Sequence, residues 1–428
     1  MPDHHMPPAL RFMLAARRSE LEGLEGLAQT CELVTLISQL VHALQRERGY
    51  SNMYLGSQAS QHGQQLELHS HVAMGVERKV LDRLQAIDPQ ASSAADRARL
   101  FNRIAYVLHG FDELPGLRRR IRDQRITAPE AMAALTRLIG GLLAVVFEAA
   151  DTAIDPRVTR VLVALFNFMQ GKELAGQERA VGVSGFCKGY FDATLHERIE
   201  HLAHSQERCF QTFSEFADDD ACQRWQHLSA APVAAQLLRL RALALKTHAG
   251  EPVDPGLAAL WFELHTQRID EMHAVEQCLT EGLLTRCQRS IKQANADLDN
   301  HRALLQRMAS LEKASGGDQP RLFSVQASDL DSPPADALSP HVGRSLLDLL
   351  QAQTLRLQAT NDELEQARRA LNERKLVEQA KKLLMDQFQL EEADAYARLR
   401  QSAMDRGQRL VEVAQAVIKA GQPTERKG

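Results

Sequence analysis

Aromatic residues are scarce here, at 5% of the 428 residues. Runs of Val, Ile, Thr and Tyr, which suit a pleated sheet, are scarce too. Leu, Ala, Gln, Arg and Glu take their place, and these lose little rotamer freedom in a helix. The expected fold class is therefore all-α. The six cysteines (Cys31, Cys187, Cys209, Cys222, Cys278, Cys287) are scattered and form no CxxC pair. That spacing excludes a disulfide framework and a zinc ribbon, and no metal is expected. Reduced thiols suit a cytosolic location. The N-terminal stretch MPDHHMPPALRF has no apolar core of a signal sequence. No uninterrupted run of about 18 apolar residues is present, so no membrane span is expected. Neither sign of charge dominates, with 51 Lys+Arg against 55 Asp+Glu. A nucleic-acid partner would have to be met by a local basic face.

Catalytic signatures are missing as well. There is no GxxxxGK[ST] or GxGxxG phosphate cradle and no GxSxG nucleophile elbow. His196 and His201 flank Glu197 and Glu200, but a zinc-protease helix needs HExxH spacing. Five residues apart, the two rings point in different directions around a helix of 3.6 residues per turn. His69-Ser70-His71 lacks a Cys or acidic partner set and reads as surface polarity. No catalytic residue, and no enzyme, is expected.

What is present is helical periodicity. A lead-in (1–29) precedes a long series of amphipathic helices (30–312). Pro89, Pro115, Pro129, Pro156, Pro232 and the Pro252 to Pro255 stretch mark expected helix starts, because Pro suits a first turn and breaks an interior. Residues 313–342, rich in Gly, Ser, Asp and Pro, lose the pattern and read as a linker. The last region, 343–428, opens with Leu350, Leu357, Leu364 and Leu371 at seven-residue spacing, with Asn361 at an a position. Such a seam forms either a parallel two-stranded coiled coil, hence a homodimer, or a helix packed on its own domain. Three short amphipathic helices follow. Leu376, Ala380, Leu383, Leu384 and Phe388 share one face. Ala395, Tyr396, Leu399 and Ala403 share the next, and Leu410, Val413, Ala414, Val417 and Ile418 the last. Gly407 offers the final turn.

The C-terminal stretch, with Lys381-Lys382-Leu383-Leu384-Met385, Ala395-Tyr396-Ala397-Arg398-Leu399-Arg400, Ala403-Met404 and Leu410 to Ala414, closely resembles the ANTAR domain. The resemblance runs from about 372 to 420. It implies binding to a leader mRNA with two successive hairpins, which prevents a terminator from forming. Unstacked loop bases are readable by protein. Lys381, Lys382, Arg398, Arg400, Arg406 and Arg409 are the candidate phosphate contacts, and Tyr396 a candidate stacking ring. Each basic residue could equally cover a solvated face, and Tyr396 could be core.

Two segments upstream are alike: LVHALQRERGYSNMYLGS, with Glu47-Arg48-Gly49, and NFMQGKELAGQERAVGVSGF, with Glu178-Arg179-Ala180. They suggest two related helices facing each other across a pseudo-twofold axis. At these residues, at Leu114 to Arg118 and at Pro232 to Arg239, the chain is similar to the NIT family over roughly 30–290. That resemblance implies a nitrate- or nitrite-sensing domain of two four-helix bundles, with the anion as effector and no cofactor. A planar guanidinium matches a planar three-oxygen anion through two parallel hydrogen bonds. Arg48, Arg179 and Arg239 are the implied nitrate ligands and Arg46 a fallback, while Arg118 reads as structural. The bland reading of Arg48 and Arg179 is local charge balance with the Glu that precedes each. Together the two resemblances imply a nitrate-responsive transcription antiterminator that activates nitrate-assimilation genes. The alternatives left open are a helical sensor of another small anion controlling RNA or DNA binding, a coiled-coil partner-binding protein, and a DNA-binding repressor.

Overall fold

The computed structural model describes residues 8–56, 62–87, 98–153, 155–246, 251–314, 375–388, 392–406 and 408–421, with 364, 372, 373 and 390. The linker expected at 313–342 (from 315 on), most of the leucine seam, Pro89 and Gly407 lie outside these. Among the described residues every regular element is helical. The order is α1 (Pro8–Gly56), α2 (Gly63–Gln85), α3 (Ala98–Arg122), α4 (Ala128–Thr152), α5 (Pro156–Lys188), α6 (Ala193–Phe216), α7 (Asp219–Ser229), α8 (Pro232–Lys246), α9 (Leu257–Ala314), α10 (375–388), α11 (Glu392–Arg406) and α12 (Leu410–Gly421).

The ends of these helices are written locally. Thr127 and Glu130 form a reciprocal capping box at α4, with Pro129 in its first turn. Asp155 caps α5 by accepting from the backbone N–H of Arg157 and Val158, with Pro156 at the first position. Gly189 ends α5 in the left-handed conformation at φ 77°, which costs Gly nothing. Pro232 likewise opens α8. Pro115 departs from expectation: α3 runs straight through it. An interior Pro costs about 3 kcal/mol, and the buried neighbours Phe111, Leu114 and Leu117 hold the helix together across the break.

Helix α5 is buried almost all round, as expected of a central helix. It packs on α6 and α9 and touches α4, while α1 packs on α2, α4 and α9. One apolar core runs from Ile37, Leu40 and Leu44 of α1 through Leu135 and Ile139 of α4 to Phe168 of α5. The Phe168 ring meets Phe210 and Phe213 of α6 and Trp225 of α7 edge-on. A second core lies beyond it, around Phe186, Phe191 and Trp261. Leu14–Gly56 and Ala128–Asp151 are long and apolar enough to cross a membrane by length and composition. Reading for uninterrupted apolar runs passes over them, because their apolar residues are interleaved with polar ones. Half of each window is packed inside the fold (56% and 50% buried).

Two sequence expectations change here. His69 is buried rather than at the surface, stacked on Tyr50 with ring centroids 4.5 Å apart. Burial and then the charge of Arg46 push its pKa down. Phe388, placed on the inner face of α10, is 47% exposed and carries the guanidinium of Arg398 4.4 Å above its ring. Otherwise the C-terminal core is made as expected by Ala380, Leu384, Ala395, Tyr396, Leu399, Ala403, Val413 and Ala414, with Val377 added.

Candidate anion site and nucleic-acid interface

Burying charged groups is costly unless each is paired, and α1 and α5 bury several. The two Glu-Arg pairs do not balance themselves. Adjacent residues on a helix point about 100° apart, so each Glu and its Arg find partners on different helices. Glu47 receives Nε and Nη2 of Arg118 on α3, at 2.8 and 3.0 Å. Glu178 receives Nε and Nη2 of Arg241 on α8, at 2.5 and 2.7 Å, with Gln206 adding a third bond. Burial alone would raise the Glu178 pKa, but Arg241 overrides it and holds the carboxyl below its ordinary range. Burial opposes the Arg118 charge too, and its bonds to Glu47 win.

With both glutamates engaged elsewhere, Arg48 and Arg179 turn toward each other's helix. Both are almost fully buried. They line one small cavity with Gly49, Asn52, Met132, Gly176, Ala180, Val183 and Phe262. Arg48 lies against Gly176: a Cβ there would sit 2.7 Å from its Nη2. Arg179 lies against Gly49, where a Cβ would collide with the guanidinium. The absence of two side chains is what lets each guanidinium reach across. Each Arg also finds a threonine, Arg48 Nη1 donating to Thr136 and Arg179 Nη1 to Thr266, both at 2.8 Å.

The likeness ends at the countercharge. Arg48 meets Glu173 in an end-on fork, Nη1 at 2.5 Å and Nη2 at 3.0 Å, and its Nε is buried without a partner. Arg179 has no carboxylate within ion-pair distance among the described residues. Its Nη2 donates to the Gln45 carbonyl at 3.0 Å, and its guanidinium rests 4.8 Å from the Phe262 ring. Burial, then the neighbouring charge of Arg48, lowers its pKa to about 10. The cavity is about 10 Å³, room for about one water molecule. A larger anion would have to part the groups around it.

The other two sequence candidates are not brought here. Arg239 is exposed on α8, and Arg241, one step further round that helix, is the residue that turns inward. The alternation of Leu and Arg from 237 to 241 gave no way to choose between them. Arg46 is partly exposed and sits 3.6 Å from Asp270. Glu173, Thr136 and Thr266 carried no sequence signal, since each acts across a helix interface.

At the C-terminal end, Lys382, Arg398 and Arg400 are exposed. Arg409 is exposed and bonds to Glu412. Lys381 is buried and pairs with Glu378 at 2.8 Å. The side chain of Arg406 lies outside the described residues. Tyr396 is buried both in the C-terminal core and against α6 of the upstream domain, with His201 edge-on at 5.5 Å and the Arg208 guanidinium 4.6 Å from its ring. His196 instead turns its Nδ1 to the Asp192 carbonyl, so the two histidines of the HExxxH stretch serve different neighbours.

Residues 39–284 match the NIT family model, described as nitrate and nitrite sensing, and residues 365–418 match that of the ANTAR domain. Over 417 residues the chain is 33% identical to the nitrate regulatory protein of Klebsiella oxytoca, covering 96% of this chain and 95% of that one. It is also similar to the solved structure of the NasR transcription antiterminator, at 31% identity and a TM-score of 0.59, covering 97% of this chain and 99% of that one. The chain therefore belongs to the family of nitrate regulatory proteins, in which a nitrate- and nitrite-sensing helical domain is joined to an ANTAR domain in a regulator of transcription antitermination.

Proposed function

We propose that the protein is a nitrate- or nitrite-responsive antiterminator that takes the anion between α1 and α5, on Arg48 and Arg179, and answers by freeing its C-terminal helices to bind a two-hairpin leader mRNA. The observation that carries this reading is Arg179, a buried guanidinium with no carboxylate within ion-pair distance among the described residues, lining a cavity with Arg48. An anion in the cavity supplies the missing charge and hydrogen bonds. The cavity is smaller than the ligand, so binding favours a state in which α1 and α5 stand further apart. A ligand shifts an equilibrium only by such a difference in affinity. Helix α5 packs on α6, and α6 covers Tyr396 of α11. Parting α1 from α5 would reach the RNA face through that contact. We read the sensor as two four-helix bundles and the active form as a cytoplasmic homodimer without catalytic activity, acting on nitrate-assimilation genes.

The test is fluorescence-anisotropy binding of the full chain to a two-hairpin leader RNA, with and without nitrate, at one ionic strength balanced by chloride, since phosphate contacts are salt-sensitive. Nitrate tightens binding if the reading holds. Equal binding in both removes nitrate as the switch. Tighter binding to duplex DNA than to the hairpins removes RNA as the target.

A further inference from the structure

Two guanidinium groups line the cavity, and among the described residues one carboxylate, Glu173, bonds directly to either of them. Resting on the reading of Arg48 and Arg179 as the anion site, we infer that Glu173 is a resident counter-ion that fixes the ligand's charge at minus one and so selects monovalent anions over divalent ones of like shape. Its carboxylate is held from every side. Oε1 accepts from Arg48 Nη1 at 2.5 Å and Gln177 Nε2 at 3.0 Å, and Oε2 from Arg48 Nη2 at 3.0 Å and Gln45 Nε2 at 2.9 Å. Four donors hold it in place. It therefore stays while a ligand binds, rather than leaving to make room. It occupies only the end-on fork of Arg48. The side edge, where Nε is buried without a partner, is left for an incoming oxygen, with Arg179 facing it across the cavity.

Among the described residues no carboxylate bonds to Arg179 as Glu173 bonds to Arg48; Asp270 stands further off, 3.6 Å from Arg46. Glu173 lies five residues before Glu178, and five residues before Glu47 stands His42. That ring is stacked on His273, with centroids 3.9 Å apart. Glu47 and Glu178 are answered by Arg118 and Arg241 and Asp270 faces Arg46, so among the described residues the two cavity arginines share one directly bonded acid, placed on one side. Two positive charges less one negative leave a deficit that one monovalent anion fills. A dianion would overfill it, and surplus buried charge is expensive.

Because Coulomb energy scales with the charge on the ligand, neutralising Glu173 helps a dianion more than a monoanion. The probes are nitrate and sulfite, a three-oxygen anion that is mainly divalent at mildly alkaline pH. Both are titrated calorimetrically into the full chain at constant ionic strength. Glu173→Gln is expected to bind nitrate about tenfold tighter and sulfite about a hundredfold tighter than the parent, narrowing the preference. Gln177→Glu, which adds a carboxylate beside Glu173 on the partly exposed side, weakens nitrate several-fold. It carries the test alone if the first variant does not fold. Unchanged nitrate affinity in either folded variant, or an unchanged nitrate-to-sulfite ratio in Glu173→Gln, overturns the role of Glu173 and leaves the anion site standing. If the parent binds neither anion, the site assignment itself falls, and this inference with it.

Discussion

The two halves of the sensor solve the same problem in the same way up to one residue. In each, a Glu-Arg pair on a central helix sends its Glu to an arginine of a flanking helix and its Arg across to the other half, beside a small residue and a threonine. Arg48 then finds Glu173, while among the described residues Arg179 bonds to neutral acceptors and rests on a ring. Near-symmetry builds the cavity, and the break in symmetry leaves it short of one negative charge. A buried charge without its counter-ion is a site waiting for a ligand, whereas a paired one is structure.

That contrast predicts opposite costs for removing the two arginines. Arg48→Met leaves Glu173 buried and unpaired, and should lose about 3–5 kcal/mol of stability. Arg179→Met removes an uncompensated charge, and should change stability by about 1 kcal/mol or less. Urea unfolding of both variants checks this, and both should lose the nitrate-induced rise in melting temperature. Equal destabilisation would mean that Arg179 has a countercharge after all.

A second comparison lies on α8. Arg241→Met removes the partner of a fully buried carboxylate and should cost about 2–4 kcal/mol, with Gln206 softening the loss. Arg239→Met, on the exposed face, should stay within about 0.5 kcal/mol and keep the nitrate response. If the nitrate response vanished in the Arg239 variant, the ligand set would have to include that residue.

A further expected effect concerns pH. His265 on α9 is buried with neither ring nitrogen hydrogen-bonded. Burial, against the pull of Glu178 and aided by Arg241 and Arg179, pushes its pKa from 6.5 down to about 3. The unfolded chain therefore takes up the proton first as pH falls. Stability from this residue is intact above about pH 6.5 and drains away from there towards pH 3, costing roughly 1–2 kcal/mol at pH 5. Melting curves of His265→Phe should show a flatter acid limb than the parent. An unchanged limb would assign the acid sensitivity to other buried groups.

Much of this was legible in the sequence, because it was local. Leu- and Ala-rich periodicity gave helices, and Pro129, Pro156 and Pro232 gave the starts of three of them. Arg48 and Arg179 stood out because each recurs in the same small-residue setting. Pro115 and Phe388 misled because tertiary burial outweighs a local rule in one case, and a cation on the ring replaces burial in the other. Arg239, a nitrate ligand by the resemblance, stands on the exposed side of α8, because periodicity says which residues share a face, not which face turns inward.

The sequence by itself determined the all-helical fold, the succession of sensor and C-terminal module, and the two arginines, since propensity, capping and repetition act within a few residues of one another. Only the tertiary structure decided that Glu47 and Glu178 serve Arg118 and Arg241, that Glu173 pairs with Arg48 while no carboxylate among the described residues pairs with Arg179, and that Tyr396 lies under α6. Those facts depend on which side chains meet across helices 63 or more residues apart in the chain, and Coulomb energy falls with distance in space, not along the sequence.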